Sequence, residues 1–360
     1  MINIKFEKYQ YFPTLRTRQS EMRGLKELDA ERKSKIVPLL TLGRWPRATG
    51  FDKAAEKASE VMENLPFFLD LTTDTTHLGD QQKLLRDHNS GFKAWRDFVA
   101  KYDRAIPVVQ LNSDAKVRDV FKQAQALEKT FGKLAFRIRD FTSDTALAIN
   151  AISAIDDVSN AIVFVDCQYI RDSFVAYATA AVATINQLRN EFPELMIVIM
   201  STSFPSSVIP FSDSTQTKGE IDILERQLHA RIGGNPVAIY GDHASIHSVV
   251  YDDVTIMRWA ARIDYPQNLQ WAFERRAGDQ TQGGFVSVAR EIVRLDPDIG
   301  TRNIWGEKMI IDAAAGIPYG AAPSSWIAVR VNIHLSRQID LSFLLENQDG
   351  NDDDEDDDSL

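Results

Sequence analysis

The chain of 360 residues contains a single cysteine, Cys167. One cysteine cannot form an intramolecular disulfide, and it cannot build a cysteine-based metal site. Cys167 directly follows Asp166 at the end of a predicted strand, where a packed core thiol is a simpler interpretation than a reactive nucleophile. This cysteine usage favours a reducing compartment, so we expect a cytoplasmic protein.

Long uncharged hydrophobic runs are also lacking. No stretch approaches the roughly 20 apolar residues that a membrane-spanning helix needs. The first ten residues place Lys5, Glu7 and Lys8 around Phe6, which does not resemble a secretory signal peptide. Hydrophobic residues make up 44% of the chain and charged residues 26%, values that are ordinary for a globular protein. We therefore expect a protein with a sizeable core and no membrane segment.

Several widespread catalytic motifs are absent. The chain has no Gly-x-x-x-x-Gly-Lys-Ser/Thr, Gly-x-Gly-x-x-Gly, His-Glu-x-x-His or Gly-x-Ser-x-Gly string. These strings mark phosphate-binding loops, dinucleotide sites, zinc-protease helices and nucleophile elbows, respectively. The sequence therefore identifies no cofactor, and it leaves open whether the protein is an enzyme.

Negative charge is concentrated at the C-terminus. The net charge is −10, and residues 346–360 contain nine acidic side chains, including every residue from Asp352 to Asp358. The rest of the chain is nearly neutral, so its charge neither favours nor excludes nucleic-acid binding. Because a run of like charges repels itself, we predict a disordered tail at 346–360 after a single domain at 1–345. This tail is a candidate surface for a protein partner.

Eight short apolar runs alternate along the chain with longer segments of helical character. Such alternation is typical of a parallel sheet covered by helices. The runs begin about 32 residues apart on average, close to one-eighth of a barrel of about 250 residues. We therefore predict an α/β fold, a TIM-like (β/α)₈ barrel with strands at 11–15, 36–42, 67–71, 106–111, 134–139, 162–167, 195–201 and 237–241.

Prolines give an independent indication of strand direction. Five of them lie at or just before the start of a run: Pro13, Pro38, Pro66, Pro107 and Pro236. Proline lacks the N–H that a central strand must donate, so it is tolerated mainly at the first residue of a strand. We expect these prolines to mark the N-terminal end of the barrel.

After the eighth run the pattern changes. Residues 261–265 and 270–274 alternate with period two across a Pro-Gln-Asn turn, which predicts a β-hairpin. Helical segments follow at 285–294 and 307–316, and we interpret the apolar run 326–339 as the closing helix of the barrel, capped by Ser324 and Ser325. Residues 243–323 are then an insertion that we expect to cap the C-terminal face, where barrel active sites lie.

Polar side chains collect where the predicted strands end. Because residues two apart share a face of a strand, one neighbourhood should contain Arg16, Asp70, Gln110, Arg137, Arg139, Asp166, Ser201, Ser203 and Asp242. One interpretation is a salt-bridge network that closes the top of the barrel. The other is an anion site, in which Arg16, Arg137 and Arg139 bind a phosphate or carboxylate. In that second case Asp166 or Asp242 acts as a base or metal ligand.

The segment from Tyr240 to His243 is the densest chemical cluster. Asp242 and His243 point in opposite directions on a strand, so they are not a ready-made catalytic pair. We treat them, with Asp166, as candidate catalytic residues. A metal site needs three or more ligands, and besides these two only Asp166 and Asp70 are candidates, so we assign no metal. The loop 201–207 is rich in Ser and Thr, which suits either a phosphate site or an ordinary exposed loop.

Motifs at residues 11–25, 241–243, 274–276, 305–310 and 326–334 together resemble those of the "beta protein" family of phages and bacteria. Residues 11–25, YFPTLRTRQSEMRGL, match the family's opening pattern of an aromatic residue, proline, leucine, two basic residues and glutamate. Other similarities are Gly-Asp-His at 241–243, where the family tends to have Gly-Asp-Tyr, Glu-Arg-Arg at 274–276, Trp-Gly-Glu-Lys-Met-Ile at 305–310, and Trp326 with His334. The resemblance spans nearly the whole chain except the tail.

The resemblance implies a phage-related or mobile-element context, with antiviral defence as one role. It also implies that Arg16, Arg18, Glu21, Asp242 and Trp305 are site candidates, although Glu21 could instead cap the first helix.

Three hypotheses about function follow from the sequence. The leading one is a barrel that recognises an anionic ligand, a nucleotide or nucleic-acid fragment, at its arginine-rich mouth. The second is a non-enzymatic interaction module that docks partners through the hairpin insertion and the acidic tail. The third is a metal-dependent phosphodiesterase that uses Asp70, Asp166, Asp242 and His243.

Overall fold

The computed structural model describes residues 2–74, 79–248, 260–276, 279 and 281–352, without the side chains of 282 and 347–352. Nine strands precede the insertion's hairpin: β1 Tyr11–Arg16, β2 Leu39–Leu42, β3 Phe67–Leu71, β4 Ala105–Pro107, β5 Leu134–Ile138, β6 Ala161–Tyr169, β7 Met196–Thr202, β8 Lys218–Asp222 and β9 Ile239–Asp242. All except β8 form one parallel sheet in the order β4-β3-β2-β1-β9-β7-β6-β5.

The sheet curls until its two outer strands nearly meet. Val108 and Ala135 form a parallel bridge between them, and the Val109 N–H donates to the Ala135 carbonyl at 2.8 Å. The predicted eight-stranded barrel is therefore confirmed.

Aromatic rings fill the barrel interior. The ring of Phe164 lies edge-on to those of Phe68 and Phe12, with centroids 5.0 and 6.0 Å apart. The N-terminal segment adds Ile4 and Phe6 to this buried cluster. Apolar packing thus occupies the interior and its N-terminal end, and charged groups gather where the strands end.

Twelve helices accompany the strands in the described part of the chain: α1 Gln19–Lys26, α2 Ala30–Ser34, α3 Asp52–Met62, α4 Asp80–Leu85, α5 Asn89–Val99, α6 Val117–Phe131, α7 Ser143–Ile152, α8 Phe174–Glu191, α9 Leu224–Ile232, α10 Gln282–Leu295, α11 Trp305–Ala314 and α12 Pro323–Asp352. Both α6 and α9 end at a left-handed glycine, Gly132 (φ 77°) and Gly233 (φ 115°), which is the usual helix stop. None of the described helices is both long and apolar enough to cross a membrane.

Proline positions follow the expectation only in part. Pro38 and Pro66 directly precede β2 and β3, and Pro236 lies three residues before β9. Pro13 instead lies inside β1, and Pro107 is the last residue of β4. Those two prolines do not mark the N-terminal end of the barrel.

The insertion forms a small layer of its own. The predicted hairpin is confirmed as β10, Ala261–Pro266, paired antiparallel with β11, Gln270–Arg276. The strand β8, which the sequence did not predict, pairs with the free edge of β11. One face of this sheet packs with α10, α11 and α12, where Phe285 stacks on Trp326 with ring centroids 5.0 Å apart.

The insertion borders the barrel mouth through a short stretch. Its described residues that line the mouth are His243, Ile246 and Ser248, and residues 249–259 lie outside the described part. The prediction that residues 243–323 cap the C-terminal face, within a domain at 1–345, stays a prediction.

The long helix α12 crosses α1 and α11 at glycines. A Cβ on Gly24 would lie 2.8 Å from the Ala328 carbonyl oxygen, and one on Gly306 would lie 2.7 Å from the Val329 carbonyl oxygen. Asn332 joins both crossings, because its amide donates to the Gly24 carbonyl at 3.1 Å and accepts from the Gly306 N–H at 2.9 Å. These contacts fix α12 against the rest of the fold.

The start and end of α12 differ from the prediction. The helix begins at Pro323, so Ser324 and Ser325 lie in its first turn instead of capping it. It also continues to Asp352, beyond the predicted boundary at residue 345. Residues 353–360, which hold most of the predicted acidic tail, lie outside the described residues.

Candidate functional site

Two adjoining cavities of about 340 and 400 Å³ open where the barrel strands end. We call them the first and second cavity. They share Thr73, Arg137, Arg139 and Gln168, so these residues form the boundary between them. Each has the size of a small-ligand pocket, which is typically about 300–1,000 Å³. In the described part of the chain, the mouth of the barrel is therefore a polar site with two cavities of ligand size.

Arg137, on β5, is buried at the base of this mouth. Its Nε and Nη2 donate to Asp166 Oδ2 at 3.0 and 2.8 Å, and its Nη1 donates to Asp70 Oδ2 at 2.9 Å and to Thr41 Oγ1 at 2.8 Å. Burial alone would lower the pKa of Arg137, but the carboxylates of Asp166 and Asp70 raise it above its ordinary value. Arg137 is thus a fully paired charge with a structural role.

Asp166 ends the regular part of β6 and accepts hydrogen bonds on both oxygens. While Arg137 occupies Oδ2, Oδ1 accepts from the Gln168 N–H at 2.9 Å and lies 2.9 Å from His243 Nε2. Burial opposes ionisation, but His243 and Arg137 hold the pKa of Asp166 well below its usual range. The carboxylate is therefore charged and fixed in orientation.

His243 faces the first cavity with its ring held by Asp166. When Nε2 carries the proton and donates to Asp166, Nδ1 is left as a proton acceptor. Within the described residues Nδ1 has no hydrogen-bond partner. A histidine oriented by a carboxylate is the arrangement that a general base requires.

Arg16 and Arg139 differ from Arg137 because they are only partly paired. Arg139 Nη2 donates to Asp70 at 2.6 Å, sharing that carboxylate with Arg137, and Arg16 Nη2 donates to the carbonyls of His247 and Ser248. Among the described residues, Nε and Nη1 of both side chains have no acceptor.

Electrostatics also separates these two arginines from Arg137. Burial lowers the pKa of Arg139, and the nearby positive charge of Arg137 lowers it further. Burial likewise lowers the pKa of Arg16, against the opposing effect of Glu21. Both guanidinium groups therefore lack the full compensation that Arg137 has.

Glu21 lines the first cavity, but its carboxylate accepts a hydrogen bond from the backbone. Its Oε2 accepts from the Arg16 N–H at 2.6 Å, which ties the start of α1 to the end of β1. Burial raises the pKa of Glu21. The side chain thus positions Arg16 at the cavity wall.

Asp242 does not lie at the mouth, contrary to the sequence prediction. It faces outward from the barrel, where it accepts from the hydroxyls of Tyr11 at 2.6 Å and Tyr240 at 2.9 Å and lies 2.7 Å from His334 Nε2 on α12. Despite burial, which raises the pKa, these partners and above all His334 lower the pKa of Asp242 to about 2. Its role is to anchor β9 to α12.

Ser201 and Ser203 are also turned away from the mouth. Ser201 pairs with Asp242 in the sheet register and is buried. Ser203 donates its backbone N–H and its hydroxyl to Glu225 on α9, at 2.7 and 2.5 Å. Burial raises the pKa of Glu225 to about 7. The contact between Ser203 and Glu225 therefore holds the loop after β7, and neither serine is among the described residues that line the two mouth cavities.

The remaining candidates divide between the mouth and distant surfaces. Gln110 borders the second cavity, although its backbone is held by Gln123. Arg18 is exposed just before α1, and Trp305 packs edge-on against Tyr319 at 5.1 Å. Neither Arg18 nor Trp305 lines the mouth cavities.

The four residues predicted for a metal-dependent hydrolase do not converge. Asp166 and His243 meet directly, and Asp70 joins them only through Arg137, while Asp242 faces α12. In the described parts of the chain, no group of three or more His, Cys, Asp or Glu side chains could hold a metal ion.

Several residues that line the mouth were not predicted from the sequence, among them Thr41 and Gln168. Thr41 receives a hydrogen bond from Arg137, and Gln168 lies on the boundary of the two cavities. Thr41 is two positions beyond the inward-facing Leu39, so strand alternation contained its signal. Gln168 follows Asp166 where the register of β6 shifts, so alternation does not place it.

Fold and site together define a (β/α)₈-barrel protein with a charged mouth and an inserted α/β layer. The sequence profile described as "Beta protein" matches residues 11–340. The chain is also 46% identical over 346 residues to "Protein beta" of Enterobacteria phage P4, covering 96% of this chain and 97% of that protein. The chain therefore belongs to the phage-related beta protein family, which confirms the resemblance noted in its sequence.

Proposed function

We propose that the barrel mouth binds a small anionic ligand, a phosphate-bearing molecule such as a nucleotide or a nucleic-acid fragment. The observation that carries this proposal is the contrast among the three arginines. Arg137 is compensated by two carboxylates, whereas Arg16 and Arg139 line open cavities with nitrogen atoms that have no acceptor among the described residues. An anion there gains charge-assisted hydrogen bonds from both guanidinium groups.

The two interpretations of the arginine cluster thus apply to different residues. The salt-bridge network accounts for Arg137, Asp70 and Asp166, which pair with one another at the base of the mouth. The anion site is supplied by Arg16 and Arg139, whose lowered pKa values reflect burial without full pairing. A bound phosphate would relieve that imbalance.

Phosphate binding by single variants tests the proposal. Inorganic phosphate should raise the melting temperature of the wild-type protein, and Arg16→Ala or Arg139→Ala should weaken phosphate binding about tenfold or more, the value of one charge-assisted hydrogen bond. Arg294→Ala is the matched control, because Arg294 is an exposed arginine on α10 whose one ion pair among the described residues is with Glu291. Unchanged phosphate binding in both mouth variants would contradict the proposed site.

In biological terms, we propose a cytoplasmic role in antiviral defence, in line with the phage-related family. Phages should plate less efficiently on cells that express the wild-type protein than on cells that express the Arg16→Ala, Arg139→Ala double variant. Equal plating on both, and on cells without the protein, would rule out that role. An interaction-module function through the acidic tail stays a prediction, since 353–360 lie outside the described residues.

A further inference from the structure

Gln168 has a backbone conformation that few glutamines adopt. Its φ is +54°, in the left-handed region that is unfavourable for residues with a Cβ. The register of β6 against β7 shifts between Asp166 and Tyr169, so the strand is irregular where Gln168 lies. Such irregularities and such strain are concentrated at functional sites, where the surrounding structure maintains them.

The same carboxylate oxygen that orients His243 also holds this strained backbone. Asp166 Oδ1 accepts the Gln168 N–H at 2.9 Å and lies 2.9 Å from His243 Nε2. Beyond His243, Ala244 and Ser245 have φ values of 49° and 64°. Left-handed residues therefore flank the Asp166–His243 pair on both sides, which marks this part of the mouth as strained.

No contact of the Gln168 side chain with the described residues explains its strained backbone. It is exposed, and its amide has no hydrogen-bond partner among the described residues. It borders both cavities next to Arg137 and Arg139. An amide offers two donors and one acceptor, which suits hydroxyl groups of a ligand.

We propose that Gln168 contacts the ligand and recognises the part of the ligand that extends beyond the phosphate group. This inference rests on the proposed phosphate site at Arg16 and Arg139, and it adds the ligand class. The ligand is a phosphate ester that carries hydroxyl groups, large enough to reach the boundary between the first and second cavities.

Two probes separate this inference from the proposed function. Wild-type protein should bind ribose 5-phosphate about tenfold more tightly than inorganic phosphate, the value of one net hydrogen bond. Gln168→Ala should remove that tenfold difference while leaving the affinity for inorganic phosphate within about twofold. Gln168→Asn, which keeps an amide and tolerates the left-handed region, should retain part of the preference.

Thermal melting tests the strain independently of any ligand. Gln168→Ala keeps a Cβ in the left-handed region, whereas Gln168→Gly removes it, so the glycine variant should melt about 2 °C higher than the alanine variant. A glycine variant that melts lower would show that the backbone there is not strained.

Each binding outcome has a distinct meaning. If inorganic phosphate and ribose 5-phosphate bind wild type equally, or if Gln168→Ala keeps the preference, the role of Gln168 is wrong while the phosphate site stands. If neither probe binds wild-type protein, the proposed function itself fails, and the inference about Gln168 fails with it.

Discussion

Replacing Arg137 by alanine removes four hydrogen bonds at the base of the barrel mouth, two to Asp166 and one each to Asp70 and Thr41. Removing one partner of a buried ion pair typically costs about 3–5 kcal/mol, because the remaining charge stays buried without compensation. Here Asp166 keeps its contacts with His243 and Gln168, and Asp70 keeps Arg139. We therefore expect a loss near the lower limit, about 3 kcal/mol.

Urea denaturation followed by tryptophan fluorescence measures this loss. With a slope of about 3 kcal/mol per molar urea for a chain of this size, the midpoint should fall by about 1 M. Arg139→Ala is the matched control. Its side chain makes a single ion pair among the described residues, and Asp70 keeps Arg137 when Arg139 is removed, so the loss should be clearly smaller than that of Arg137→Ala.

The pH dependence of the stability loss in Arg137→Ala gives a second test of the role of Arg137. In the wild type the pKa of Asp166 is held below its unfolded value, so its contribution to stability is present above about pH 4 and lost as pH falls through the folded pKa. The deficit of Arg137→Ala should therefore be larger at pH 7 than at pH 3. A stability loss below about 1 kcal/mol at pH 7, or one that grows on acidification, would refute the description of Arg137 as a buried, fully paired charge.

Two further predictions concern packing and titration. Gly24→Ala should cost about 1–3 kcal/mol, since its Cβ would meet the Ala328 carbonyl oxygen at 2.8 Å, whereas Gly283→Ala, whose nearest contact is at 3.4 Å, should be neutral or slightly stabilising in urea titrations. Equal effects would contradict the tight crossing of α1 and α12. Burial raises the pKa of Glu225 to about 7 from 4.5, so the stability linked to its protonation is present below about pH 4.5 and lost as pH rises through about 7. Glu225→Gln should remove that decline, and an unchanged pH profile would show that Glu225 does not titrate there.

The barrel could be predicted because its strands are buried on both faces. Such strands read as uninterrupted apolar runs, as in β6, where Ala161–Cys167 are all buried. The strand β8 gave no such signal, since Ile221 is its one buried residue and its pairing is supplied by β11. Tertiary contact, not local pattern, makes β8 a strand.

The mouth could be predicted where strand alternation continues to the strand end. Arg137 and Arg139 are two positions apart and both line the cavities. Asp242 was assigned wrongly because it precedes His243 by one residue, which turns it to the opposite face. The difference between the fully paired Arg137 and the partly paired Arg16 was not predictable, because it depends on which carboxylates lie close to each guanidinium group in the folded chain.

The position of α12 has a consequence for how the protein is made. Asn332 bonds to Gly24 across 308 residues, so the first helix is not covered until the last one exists. At synthesis rates of about 5–20 residues per second, the roughly eighty residues between β9 and α12 take on the order of ten seconds. During that interval the nascent chain has all eight barrel strands but lacks the helix that covers Tyr11 and Asp242. Productive folding is therefore delayed to the end of translation, and chains truncated before Pro323 should aggregate.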